Sequence, residues 1–187
     1  MKKLLSLCAV AALFLSACES SQKKVNSEKN PDLVSASMKG DSVSAKKALG
    51  EGADPNAKND RGWSSLMISA FYGNDEVAAE LIGSSADVNA GNNNGVTPLM
   101  IAAYKGNLQL ARDLVLKGAN VNAQSSKKVT ALMAASYAGH EEMVTALLGA
   151  KADVNMKTQN GATALYYAKK QGKSKVADIL KTAGAVE

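Results

Sequence analysis

Residues 94–122 read NGVTPLMIAAYKGNLQLARDLVLKGANVN, and the stretch falls on copies of itself when it is moved along the chain by 33 residues. Leu66, Leu99, Leu132 and Leu165 are in phase. So are Gly40, Gly73, Gly106, Gly139 and Gly172, and Asn56, Asn89, Asn122 and Asn155. A period of this length marks an array of small stacked units, none of which can bury a core by itself.

Within one unit each piece has a job. Asn94-Gly95 suits a tight turn, since glycine tolerates positive φ. Thr97 is placed as a helix N-cap, and Pro98 takes the first helical position, where its missing N–H is harmless. Leu99, Ile101, Ala102 and Ala103 form a short helix that Gly106 ends. Residues 108–117 form a second helix, with Leu110, Ala111, Leu114 and Val115 at helical spacing. Gly118 caps that helix, and Ala119-Asn120-Val121-Asn122 leads out to a loop or β-hairpin.

Residues 97–123, TPLMIAAYKGNLQLARDLVLKGANVNA, resemble an ankyrin repeat, whose pattern is close to TPLHLAA..G..E.V..LL..GADVNA. In-phase copies open at Ser64-Ser65-Leu66, Thr130-Ala131-Leu132 and Thr163-Ala164-Leu165. They close at Ala86-Asp87-Val88-Asn89 and Ala152-Asp153-Val154-Asn155. A degenerate first copy ends in Gly52-Ala53-Asp54-Pro55-Asn56. The resemblance implies an all-α repeat solenoid of about five ankyrin repeats, at 31–59, 60–92, 93–125, 126–158 and 159–187, inside a domain over 31–187. Lysines on the first and last repeats would keep the terminal faces soluble. The chain departs from the family at one slot: the histidine after the leucine is Met67, Met100, Met133 and Tyr166 here. That histidine helps to hydrogen-bond neighbouring repeats in ankyrins, so apolar stacking is expected in its place. A copper-binding methionine stripe is not expected, because equivalent residues on helices about 8–10 Å apart cannot easily share a metal.

The N-terminus reads differently. Lys2 and Lys3 precede an apolar run over 4–15, too short for the roughly 20 residues of a membrane span and suited to a secretory signal. Leu15-Ser16-Ala17-Cys18 resembles the lipobox of bacterial lipoproteins. The resemblance implies cleavage after residue 17 and acylation of Cys18, leaving 1–17 as signal peptide and 18–30 as lipidated cysteine and flexible tether. The alternative is an ordinary secreted protein cleaved nearby. Acyl chains contribute about 0.8 kcal/mol per buried methylene, and two suffice for stable anchoring. Glu19 is not the aspartate that favours inner-membrane retention, which points to the outer membrane and a periplasm-facing protein. The tether, ESSQKKVNSEKN, has one apolar residue and a flexible reach on the order of 20 Å. Cys8 would leave with the signal, so no intramolecular disulfide is expected.

Without Lys2 and Lys3 the balance is 20 basic against 17 acidic residues, or +3, too mild to indicate nucleic acid. One histidine, His140, cannot make a Ser–His–Asp set, and it follows Gly139 where ankyrins commonly carry histidine. No GxGxxG, Walker, HExxH or CxxC motif occurs. Asp54, Asp87 and Asp153 fit hairpin residues bonding nearby backbone better than a calcium ladder, since Asn120 takes the same slot. The expectation is a non-enzyme with no cofactor, no metal and no small-molecule substrate.

In ankyrin arrays contact with a target comes from the hairpin tips and the exposed side of the first helix. By phase, the resemblance places Arg61, Trp63, Phe71, Tyr72, Asn94, Tyr104, Lys105, Lys127, Tyr137 and Lys170 on that face. Phe71, Tyr104 and Tyr137 share one slot and should form a ladder. Exposed aromatics flanked by basic groups suit a binding hot spot; the competing reading is that the ladder only packs the hairpins onto the helices. The expected function is a membrane-anchored module binding an envelope protein as scaffold, protector or inhibitor. The alternatives are an immunity protein against a periplasmic toxin, and a structural envelope component binding peptidoglycan or anionic lipid.

Overall fold

The computed structural model describes residues 31–186; the signal, lipobox and tether expectations, Cys18 included, lie outside the described residues. Ten helices occur among the described residues, two per repeat. The inner helices are α1 (Pro31–Lys39), α3 (Ser65–Tyr72), α5 (Pro98–Lys105), α7 (Ala131–Ala138) and α9 (Ala164–Lys170). The outer helices are α2 (Ser42–Gly50), α4 (Asp75–Gly83), α6 (Leu108–Leu116), α8 (Glu141–Gly149) and α10 (Ser174–Thr182). Inner helices stack on inner helices and outer on outer, each touching its neighbours in the array. This is an all-α repeat solenoid.

The caps explain why such short helices hold. Ser64, Thr97, Thr130 and Thr163 have extended backbone, and their hydroxyls accept from the N–H groups of Met67, Met100, Met133 and Tyr166. At the other end Gly73, Gly106 and Gly139 stop α3, α5 and α7 in the left-handed conformation, with φ of 75, 75 and 90°. Helices of 8 or 9 residues are marginal alone. Packing does the rest: Leu66, Leu99, Leu132 and Leu165 are buried in line, as are Met67, Met100 and Met133. The methionines replace the family histidine with apolar stacking, as expected. Tyr166, in the same slot of the fifth repeat, is 47% exposed, with no further repeat stacked on it among the described residues.

Polar groups then tie repeat to repeat. Asn56, Asn89, Asn122 and Asn155 each accept through Oδ1 from an N–H of the next repeat, those of Asp87, Asn120, Asp153 and Val186, at 2.7, 2.7, 2.8 and 2.9 Å. Asn89, Asn122 and Asn155 also donate from Nδ2 to the carbonyls of Gly118, Lys151 and Gly184. Asp54, Asp87, Asn120 and Asp153 each accept from the N–H two residues on. They are turn residues, as the sequence indicated. His140 bonds through Nε2 to the Tyr104 carbonyl at 3.0 Å, and Asn74 donates to the Ser37 and Met38 carbonyls. At the N-caps of the outer helices, His140 and Asn74 thus add hydrogen bonds to the preceding repeat.

Candidate functional site

Between one outer helix and the next inner helix the chain forms a finger. Four fingers share one scheme: the N–H of Asn59, Asn92, Ser125 and Thr158 donates to the carbonyl four residues on, at 2.9–3.0 Å. The same four side chains accept from the N–H of Trp63, Val96, Val129 and Ala162. Neighbouring fingers are joined through backbone: Asn93 N–H donates to the Arg61 carbonyl, Ser126 to Asn94 and Gln159 to Lys127, at 3.2, 2.8 and 3.2 Å. A single bridge, Lys58 with Ser64, is the β-pairing recorded among the described residues. The side chains of Arg61, Asn94 and Lys127 are exposed at the tips, while their carbonyls fix the register of the row.

Trp63 corrects an expectation. Repeat phase places it on the exposed recognition face, but it is 3% exposed. The bond from its N–H to Asn59 turns the residue inward, and its ring meets Phe71 edge-on at 5.9 Å between centroids. Val96 and Val129, one and two repeats on, are buried in the same way. The slot folds each finger back onto its inner helix.

The other aromatics lie where phase put them. Tyr72 is 38% exposed, and Phe71, Tyr104 and Tyr137 are half-buried. Phe71 meets Tyr72 edge-on at 5.5 Å, and Lys105 Nζ rests 3.9 Å from the Phe71 ring centre. Tyr104 and Tyr137 stack at 6.4 Å with 26° between planes. The row continues, unexpectedly, through Tyr167 (6.2 Å) to Tyr166 (5.7 Å). Tyr167 takes the slot that Ala134 fills one repeat earlier, so its ring reaches the space beside Tyr137. The signal for this was a bulky residue in a small-residue slot. Lys170 donates to the Tyr166 hydroxyl at 3.1 Å, with its Nζ 5.3 Å from the ring centre. Such ammonium–ring contacts are worth roughly 0.5–1 kcal/mol at exposed sites. Burial raises the Tyr104 phenol above the ordinary tyrosine range, and the neighbouring Tyr137 adds to this; burial likewise raises Tyr167.

The outer layer carries a feature that sequence reading passed over. Ala111, Val115, Leu116, Met143, Ala146 and Leu147 line an open apolar groove of about 280 Å³ between α6 and α8. Leu116 is 82% exposed there.

The inner face therefore offers a rigid row of rings, fingertip polar groups and ammonium groups, an arrangement suited to surface recognition. The family model described as "Ankyrin repeats (3 copies)" matches residues 33–125 and 102–186. No curated protein is matched by the chain.

Proposed function

Because the chain belongs to the ankyrin-repeat family, a family of protein–protein interaction modules, we propose that it is a lipid-anchored envelope protein that holds another envelope protein on its inner face. The observation that carries this is the row Tyr104–Tyr137–Tyr167–Tyr166, held on stacked helices with ammonium groups beside it. Rigid aromatic rings gain contact area on binding while losing little side-chain freedom, which is why they dominate interface energetics. The anchor in this reading is Cys18, and the segment up to residue 30 is the tether that keeps the array near the membrane.

Two experiments test the reading. The first is capture from an envelope extract with tagged full-length chain, compared with a Tyr72→Ala, Tyr104→Ala, Tyr137→Ala variant shown by circular dichroism to be folded. Trp63 is left intact because its burial makes it a folding residue. A protein retained by the natural chain and lost from the variant supports the inner face; equal retention by both overturns it. The second is metabolic labelling with radioactive palmitate. Label on the natural chain and none on Cys18→Ser supports the anchor, whereas an unlabelled natural chain found in the soluble fraction removes it.

A further inference from the structure

Charge is segregated between the two layers of the array. Residues 91–106, 124–139 and 157–172, which supply the fingertips and inner helices of the last three repeats, contain Lys105, Lys127, Lys128, Lys157, Lys169 and Lys170 and no Asp or Glu; Asp87 and Asp153 lie at the bases of the fingers, each accepting from the N–H two residues on. The carboxylates of the outer helices are elsewhere, at Asp75, Glu76 and Glu80 on α4, Asp113 on α6, Glu141 and Glu142 on α8 and Asp178 on α10. There they meet lysines: Lys46 with Glu80, Lys175 with Glu141, and Lys181 with Asp178. On the inner layer Lys105 and Lys170 rest instead on the rings of Phe71 and Tyr166. The chain's net charge of +5 hides this separation.

We propose that the inner face of the last three repeats, built around Tyr104, Lys105, Lys127, Tyr137 and Lys170, accepts a carboxylate-rich segment of the partner protein. The inference rests on the reading that the partner sits on this face, and adds the chemistry of what it presents. An incoming chain can lay backbone and apolar groups on the half-buried Tyr104 and Tyr137 rings. Its carboxylates then meet ammonium groups on both margins, Lys127 at the fingertip and Lys105 and Lys170 at the helix ends. An ammonium resting on a ring still has N–H donors to offer, although Lys170 gives one to the Tyr166 hydroxyl, and both groups are oriented before the partner arrives. A polypeptide can enter between fingertips and helix ends. A flat bilayer meets the outermost charges first, whereas a polypeptide can also follow the row of rings between the two margins. Complementary charge of this kind accelerates encounter and excludes wrong partners, and it weakens as salt is added.

The test is selection of random 12-residue peptides from a displayed library on purified full-length chain, beside a Lys105→Glu, Lys127→Glu, Lys170→Glu variant shown to be folded. The selected peptides should be rich in Asp and Glu with interspersed apolar residues. They should lose on the order of tenfold or more in affinity on the variant, and weaken between 50 and 300 mM salt. Their Gln and Asn counterparts should not bind. Peptides with no acidic bias, no enrichment at all, or equal binding to the variant would overturn the proposal. So would tighter binding to phosphatidylglycerol vesicles or to a single-stranded oligonucleotide than to the selected peptides. The two readings separate in the envelope capture. A partner lost from the tyrosine variant but kept by the lysine-to-glutamate variant sinks the acidic segment and leaves the inner face standing.

Discussion

Ser65 is a residue whose chemistry disagrees with its place. Its hydroxyl is fully buried and, among the described residues, stands without a hydrogen-bond partner. The in-phase residues are Pro98, Ala131 and Ala164, none of which has a side-chain polar atom to satisfy. A buried unpaired hydroxyl costs about 1–3 kcal/mol. Ser65→Ala is therefore expected to raise stability by about 1 kcal/mol, seen as a higher urea midpoint with unchanged slope; a lower midpoint would mean that the hydroxyl has a partner. Lys151 is strained in a different way. Its φ is 67°, in the slot where Gly52, Gly118 and Gly184 have 92, 87 and 87°. A side chain in that conformation costs about 1–2 kcal/mol, part of which glycine returns as unfolded-chain entropy. Lys151→Gly should stabilise by about 0.5–1 kcal/mol on the same denaturation curve. Tyr104, half-buried, and Tyr167, buried, contribute to the response to alkali. Folding raises the Tyr104 and Tyr167 phenols above their unfolded value near 10. Their contribution to stability is complete below pH 10 and is lost as pH rises through the folded values, because the unfolded chain then releases the protons more readily. Ultraviolet titration at 295 nm should show a late-ionising fraction that Tyr104→Phe and Tyr167→Phe each reduce.

At the scale of elements, what holds one repeat to the next is more polar than the repeat pattern suggests. Asn122 spans the gap between its finger and the next one with two bonds, accepting from Asp153 N–H at 2.8 Å and donating to the Lys151 carbonyl at 3.2 Å. With each bond worth about 0.5–1.5 kcal/mol net, Asn122→Ala should cost about 1–3 kcal/mol. Asn155→Ala breaks the equivalent bonds to Gly184 and Val186 at the end of the chain. It should cost less globally, since the terminal turn can fray while the rest stays folded. Equal losses in urea denaturation would show that the array melts as one unit right to its end. The period made the asparagines visible in the sequence as a series, yet nothing in one chain said that they bridge repeats. Leucine, glycine and threonine in phase were enough to read the helices, caps and stacking, because those roles are local or repeat identically. Trp63 was misread because its direction depends on the bond from its own N–H to Asn59, and the same slot holds smaller residues elsewhere. The Tyr137–Tyr167 contact was missed for a related reason: it joins two different slots of neighbouring repeats, which no in-phase comparison brings together.

The whole molecule is a one-dimensional stack, so position along the array should matter more than the number of residues removed. Consider deleting residues 126–158 or residues 159–187. The first deletion takes out the fourth repeat and, because the period is 33, joins 125 to 159 in phase. The fifth repeat can then stack on the third, with Leu165 following Leu99. Its outward face is already suited to solvent, with the Tyr166 hydroxyl bonded to Lys170 and α10 carrying exposed charge. The second deletion leaves a fourth repeat whose Met133, Ala134 and Leu147, all at most 2% exposed in the intact chain, have lost their cover. Both variants lose a similar share of buried surface, so both denaturation slopes should fall by about one fifth. The midpoints should diverge: the internal deletion stays monomeric and loses little, while the terminal deletion loses more and associates through its uncapped end. Urea denaturation with sedimentation measurements on the two variants decides this. If the internal deletion fails to fold while the terminal one remains a stable monomer, the fourth repeat supplies something that stacking does not, and its contribution to the Tyr104–Tyr137–Tyr167 row becomes the first place to look.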